Sequence, residues 1–151
     1  MKTVVLNDVQ VGEFVADRAK CEYVPGAHTT IGVVDDSQPI GSPSRVHGGV
    51  IFCSYTGASI WIHVGARNEK WLTPDMLWCT FHYPFVQLGC SRLYGVIESD
   101  NEQSLNFALK LGFKVQAVLP GLFVSGAGVV VCMERDECRW LRIKPRNLKG
   151  G

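Results

Sequence analysis

Ser99-Asp100-Asn101-Glu102-Gln103-Ser104-Leu105-Asn106-Phe107-Ala108-Leu109-Lys110-Leu111-Gly112-Phe113 is the most fully specified stretch of the chain. Its first four residues read as a capping box, with Ser99 as the acceptor for an early helical N–H and Glu102 reaching back from three residues on. Leu105, Ala108 and Leu109 recur at helical spacing and predict a buried face. Gly112 stands where a helix is commonly ended by a left-handed residue. Residues 91–97 precede this helix as a strand, Leu93, Gly95 and Ile97 alternating with Arg92, Tyr94 and Val96. Residues 113–119 and 128–133 follow it as two strands, with 120–127 read as the loop between them.

Working towards the N-terminus, Thr73-Pro74-Asp75 predicts a second helix start: a threonine cap, proline at the first helical position and an acid in the first turn. Leu77, Trp78, Phe81 and Phe85 repeat behind it at three-to-four spacing, and Pro84 is expected to end or kink the helix. Residues 65–72 are polar and loop-like. Three strand candidates lie upstream, at 29–34, 46–55 and 59–64. In the last, Ile60, Ile62 and Val64 share one face and Trp61 and His63 the other. The short joint Thr56-Gly57-Ala58 predicts an antiparallel hairpin between the last two. Residues 3–6 form a short β-branched run, 9–19 a weak helical stripe, and 21–28, with Pro25-Gly26, a loop.

Composition bounds what such a chain can do. At 151 residues it is expected to form one domain over its whole length, 1–151, with a basic tail from about residue 142. Hydrophobic residues at 46% and charged residues at 19% argue for a packed core and against disorder. With 15 basic and 14 acidic residues, charge gives no indication of nucleic-acid binding. Arg139, Arg142, Lys144, Arg146 and Lys149 cluster at the end, as either a solvated tail or a binding patch. No apolar stretch reaches the roughly 20 residues that cross a bilayer, so no membrane partner is expected. The six cysteines include no C-x-x-C pair and the four histidines lie far apart. Reduced thiols in a cytoplasm and no metal site are the expectation.

Residues 101–113 resemble the N-x-x-[AS]…K-x-G-F signature of the GCN5-related N-acetyltransferases. Tyr83-Pro84-Phe85 and Cys138-Arg139-Trp140-Leu141 resemble motifs of the phage- and prophage-encoded members, and the likeness spans roughly residues 29–141. It implies an α+β (α/β three-layer) fold, in which a mixed, mostly antiparallel sheet of six or seven strands is flanked by three or four helices. The implied activity is acetyl-CoA-dependent transfer of an acetyl group to an amine acceptor, in the host cytoplasm if the chain is phage-encoded, with a homodimer as an option. The alternative implied is a non-catalytic relative serving as a phage structural or host-interaction protein.

The resemblance also assigns residues. Ile62, His63 and Val64 would lie beside the thioester, and Asn101, Ser104 and Phe107 along the CoA arm. Arg67, Lys70, Trp71 and Thr73 would stand near the phosphates. The family's [RQ]-x-x-G-x-[GA] phosphate loop is missing from residues 65–73, so side-chain charge and the helix start would have to replace it. The tyrosine that protonates the departing thiolate in many members is Ala108 here, which leaves Ser104 or water as donor. His63 is the candidate general base, or else a histidine hydrogen-bonded within the sheet; Glu98 is the alternative base, or else a solvated strand end.

Overall fold

A computed structural model of the chain describes residues 1–143; the tail residues Lys144, Arg146 and Lys149 lie outside them. Seven strands form one sheet: β1 (Lys2–Leu6), β2 (Thr29–Asp35), β3 (Val46–Cys53), β4 (Ser59–Ala66), β5 (Arg92–Glu98), β6 (Lys114–Phe123) and β7 (Gly126–Glu134), in the spatial order β1-β2-β3-β4-β5-β7-β6. Every neighbouring pair is antiparallel except β4 with β5, which run parallel. Helices α1 (Val9–Ala19), α2 (Pro74–His82) and α3 (Glu102–Leu111) cover the sheet. The larger apolar cluster, with Phe52, Ile62, Met76, Phe81, Phe85 and Ala108, lies under α2 and α3; a smaller one, with Val11, Val15 and Ile51, lies under α1.

Local chemistry explains the helix ends, with corrections to the reading above. Asn101, not Ser99, caps α3: its Oδ1 accepts from the Ser104 N–H at 3.1 Å. Ser99, the first residue past β5, donates its N–H to Ala127 O at 2.9 Å, and the chain turns through an Asn101 N–H to Glu98 O bond of 2.9 Å. Leu109 is 42% exposed; the inner face of α3 is Ala108 with partly buried Leu105, Phe107 and Leu111. In α2, Thr73 caps as expected, accepting from Met76 N–H at 3.2 Å, and Phe81 and Phe85 are buried as expected, but Met76 and Thr80 complete the stripe in place of the partly exposed Leu77 and Trp78. Trp78 is only half-buried, stacked on His82 at 4.1 Å. Pro84 sits in a π-helical turn, Tyr83–Gln87, that ends the helix.

Residues 120–127 are not a loop. β6 and β7 continue as a long hairpin to the Phe123–Gly126 pair, with register shifts before Ala117 and Phe123. Pro120 is tolerated because β6 is an edge strand, where a missing N–H costs no ladder bond.

Two glycines let α1 and the β4–α2 connection lie against the sheet. A Cβ on Gly49 would come within 2.6 Å of Val11, and one on Gly48 within 2.8 Å of the Trp71 ring. The start of α1 is held by a buried charge pair that the sequence did not point to. Asp8 caps the helix through Val11 N–H and receives both nitrogens of Arg45, Nη1 at 3.1 Å and Nη2 at 2.8 Å. Arg45 is 7% exposed, and Gln10 takes its third bond at 2.9 Å. Arg45→Ala should therefore cost about 3 kcal/mol, the low end for breaking a buried pair because Asp8 is partly exposed. Urea denaturation measures this, and a loss below about 1 kcal/mol would show that α1 does not depend on the pair.

Candidate functional site

The sheet is interrupted where its strands turn parallel. β4 and β5 pair only at Ser59–Arg92, Ile60–Leu93 and Trp61–Tyr94, and then diverge. From Ile62 onward the β4 edge that faces β5 carries no ladder, which leaves a wedge open towards the C-terminal ends of both strands. Parallel pairing is the weaker kind per residue, so it is the joint in this sheet most readily left unmade. Stacking of Trp61 on Tyr94, centroids 5.2 Å apart, closes the narrow end on the α1 face. On the opposite face an apolar cleft enters the wedge, lined by Ile62, Val64, Trp71, Leu72, Phe107 and Leu111. Val64 is 40% exposed although it shares the face of buried Ile60 and Ile62, because the sheet no longer continues beside it.

Four of the residues assigned by resemblance, Ile62, Val64, Trp71 and Phe107, thus meet around one cleft. Trp71 is itself buried, at 3% exposure. Asn101 caps α3 at the wide end of the wedge, and Ser104 lies in its first turn, about one turn before Phe107. The phosphate candidates are dispersed. Thr73 opens α2 over a surface hollow shared with Lys2, Thr3, Val4 and Val33, on the β1–β2 side. Lys70 is exposed beside Lys2, whose Nζ donates to the Lys70 carbonyl at 2.9 Å. Arg67 faces α1: its Nε donates to Val46 O at 3.2 Å, its Nη2 to Pro43 O, and its guanidinium lies 5.7 Å from the Phe14 ring. Arg67 and Thr73 therefore point to opposite faces of the sheet.

His63 and Glu98 share the α1 face. His63 stands beside Ile51 in the β3–β4 ladder, and burial, helped by the charge of His28, lowers its pKa below the usual 6.5. The neutral imidazole that results is the form able to accept a proton. Glu98 is paired: Lys20 Nζ lies 2.9 Å from Oε1, and Ser125 Oγ donates to Oε2 at 2.6 Å. The Ser125 and Lys20 hydrogen bonds hold its pKa below the ordinary carboxylate value, so it is a weaker base than a free glutamate. The contacts of Lys20 and Ser125 with Glu98 were not legible in the sequence, because the three residues are distant in it and the first two lie in an unremarkable helix end and turn. The six cysteines are free thiols, and burial pushes Cys21 and Cys79 up to about 11. Among the described residues no helix is long and apolar enough to cross a membrane, and no group of three or more His, Cys, Asp or Glu is placed to hold a metal ion.

No protein-family model matches the chain, and no curated protein is significantly similar to it in sequence. Solved structures of similar shape exist. Mutant forms of the spermidine/spermine N-acetyltransferase SpeG from Vibrio cholerae share 13% identity at a TM-score of 0.68, over 90% of this chain and 96% of theirs. Another mutant of that enzyme gives 12% and 0.69, over 93% and 96%. A dodecameric form in an intermediate state gives 11% and 0.67, over 89% and 94%. What is shared at this identity is the fold, and the chain has the fold of the GCN5-related N-acetyltransferases.

The histidines make stability depend on pH. His47, His63 and His82 all have folded pKa values below 6.5, with burial the largest cause in each. Below about pH 6.5 the unfolded chain binds more protons than the folded one, so stability is complete above that pH and is lost as pH falls through it towards the folded values. Urea midpoints should be higher at pH 7.5 than at pH 5.5, and His63→Gln should narrow the difference. Equal midpoints at the two pH values would contradict the assignment.

Proposed function

We propose that the chain is an acetyl-CoA-dependent N-acetyltransferase acting on an amine acceptor. The observation that carries the reading is the β4–β5 wedge, with an unpaired strand edge on one side and an apolar cleft leading into it. An extended arm bearing amides can add to such an edge as a further strand would, its apolar parts against Ile62, Val64 and Phe107. The wedge therefore suits the pantetheine of acetyl-CoA. Lys70, Arg67, Trp71, Thr73 and Asn101 are the residues proposed around the phosphates and the arm, although the separation of Arg67 from Thr73 means the two would not grip one phosphate together.

Acetyl-CoA supplies a thioester carbonyl for the acceptor amine to attack. The amine must arrive neutral or lose its proton on attack, and His63, held neutral by burial, is the group proposed to take it. Glu98 is the second candidate, weakened as a base by its two partners. At the start of α3 the Ser104 backbone N–H is engaged by Asn101, and its hydroxyl is proposed as donor to the departing sulfur, because Ala108 is buried and its methyl group can donate no proton. The motif likeness supports a phage-encoded enzyme at work in a host cytoplasm, as a monomer or a homodimer. Buried Ala108 and the main-chain commitments of Arg67 favour the second reading, a non-catalytic relative.

Ligand binding stabilises by mass action, about 2.7 kcal/mol at a hundredfold excess over the dissociation constant. Acetyl-CoA should raise the melting temperature, and by less in Lys70→Ala; no change at millimolar concentration would leave the non-catalytic reading. Ser104→Ala keeps the backbone cap and so should leave acetyl-CoA affinity nearly unchanged while turnover falls about 100-fold, the usual cost of a lost transition-state donor. A binding titration and steady-state rates on that variant decide it, and unchanged turnover removes Ser104 from the mechanism.

A further inference from the structure

The wide end of the wedge is bridged on its α1 face by a charge pair. Continuing the β4–β5 register past its last pair sets His63 opposite Val96 and Gly65 opposite Glu98. Gly65 lies directly beneath α1, within 3.1 Å of Val15 Cα for an added Cβ. Lys20, the residue that ends α1, extends from that helix across the gap to Glu98. It does so from a left-handed backbone conformation, φ 55°, that usually falls to glycine or asparagine.

The two partners are unequal. The Glu98 side chain is 17% exposed and is braced from the β6–β7 hairpin by Ser125, whereas Lys20 is 66% exposed and its ammonium makes no other hydrogen bond among the described residues. Glu98 is thus a fixed, partly enclosed carboxylate, and what occupies it is a primary alkylammonium on a flexible four-carbon stem. That is the chemistry of an amine acceptor, already seated in the structure by the chain itself. Glu98 also lies two strand residues from the level of His63, about 7 Å along β5. A short diamine spans that interval.

We propose that Glu98, braced by Ser125, is the seat for a second ammonium of the acceptor, and that Lys20 holds this seat in the free protein and gives it up to the acceptor. The acceptor class is then an alkyl diamine or a longer amine with a comparable spacing, one nitrogen at Glu98 and the other beside His63. This assignment rests on the acetyltransferase reading for the fate of the second nitrogen but not for the binding itself. Lys20 is an intramolecular competitor, so its removal strengthens the seat for an outside ammonium.

The test uses the full chain, ¹⁵N-labelled and without acetyl-CoA, titrated with 1,4-diaminobutane against sodium chloride of equal ionic strength. Saturable shifts are expected at the amides of Lys20, Glu98 and residues 125–127 with the diamine and not with the salt. Lys20→Met should tighten binding about threefold, the scale of one exposed ion pair; Glu98→Gln should abolish it, and Ser125→Ala should weaken it. Weaker binding in Lys20→Met, or no saturable shift even in that variant, would overturn the proposal and leave the pair as a clamp between α1 and β5. If Glu98→Gln does not fold, Lys20→Met and Ser125→Ala still decide it. Acetyl-CoA titrated into the same samples reads the other question: shifts with acetyl-CoA and none with the diamine defeat this inference alone, and the reverse defeats the acetyltransferase reading alone.

Discussion

Three residue pairs, Ser59–Trp61 against Arg92–Tyr94, make one sheet out of two. On one side lies the antiparallel run β1 to β4, on the other the antiparallel set β5, β7 and β6. Backbone bonds from the Ser91 and Arg92 N–H groups to Ala58 O extend the joint at its closed end. Lengthening this joint would close the wedge, and with it the apolar cleft and the free edge of β4; shortening it would leave Trp61 and Tyr94 without the register that stacks them. Side chains complete what the ladder leaves open. Ile62 and Phe107 meet across the cleft on the α2–α3 face, and Lys20 and Glu98 meet on the α1 face.

The two faces of the wedge differ in chemistry because the helices covering them differ in what they bury. α2 and α3 meet the sheet over the larger apolar cluster, so the cleft on that side is hydrocarbon almost throughout. α1 packs mainly on β3 and β4, and its last residue, Lys20, reaches the polar Glu98 at the end of β5. In the proposed reading this division separates an arm held by backbone and apolar contact from an amine held by charge. A carboxylate with fixed partners and an imidazole kept neutral by burial then stand about two strand residues apart along β5, able to act without sharing a proton.

The motifs that carried the family resemblance also have structural work that accounts for them. Arg139 Nη2 and Trp140 Nε1 donate to the carbonyls of Lys110 and Leu111, at 2.6 and 2.7 Å, satisfying acceptors left unpaired at the end of α3. Trp140 stacks in turn on Phe81 of α2, at 6.5 Å. Tyr83 bonds Thr29 at 3.0 Å and packs on Phe52, and Phe85 is wholly buried. These motif residues hold α2 and α3 on one face and so set the depth of the cleft, without lining it themselves.

Local signals determined the elements. Alternation in β4 and β5, the threonine and proline at the start of α2 and Gly112 after α3 are statements about neighbours within one turn or one strand, so the sequence alone is enough to read them. Even the local reading failed where tertiary structure competed for the same groups: Ser99 was held by β7, so the cap passed to Asn101, and the edge position of β6 turned an apparent loop at Pro120 into strand. What only the folded chain decided is where distant charges meet. Arg45 reaches Asp8 across 37 residues, and Lys20 reaches Glu98 once α1 has crossed β4. Arg67, one charge among several by sequence, was drawn to the main chain at residues 43–46. A charged side chain has no periodicity to betray its partner; its place is set by which carbonyls and carboxylates the packed backbone brings within reach.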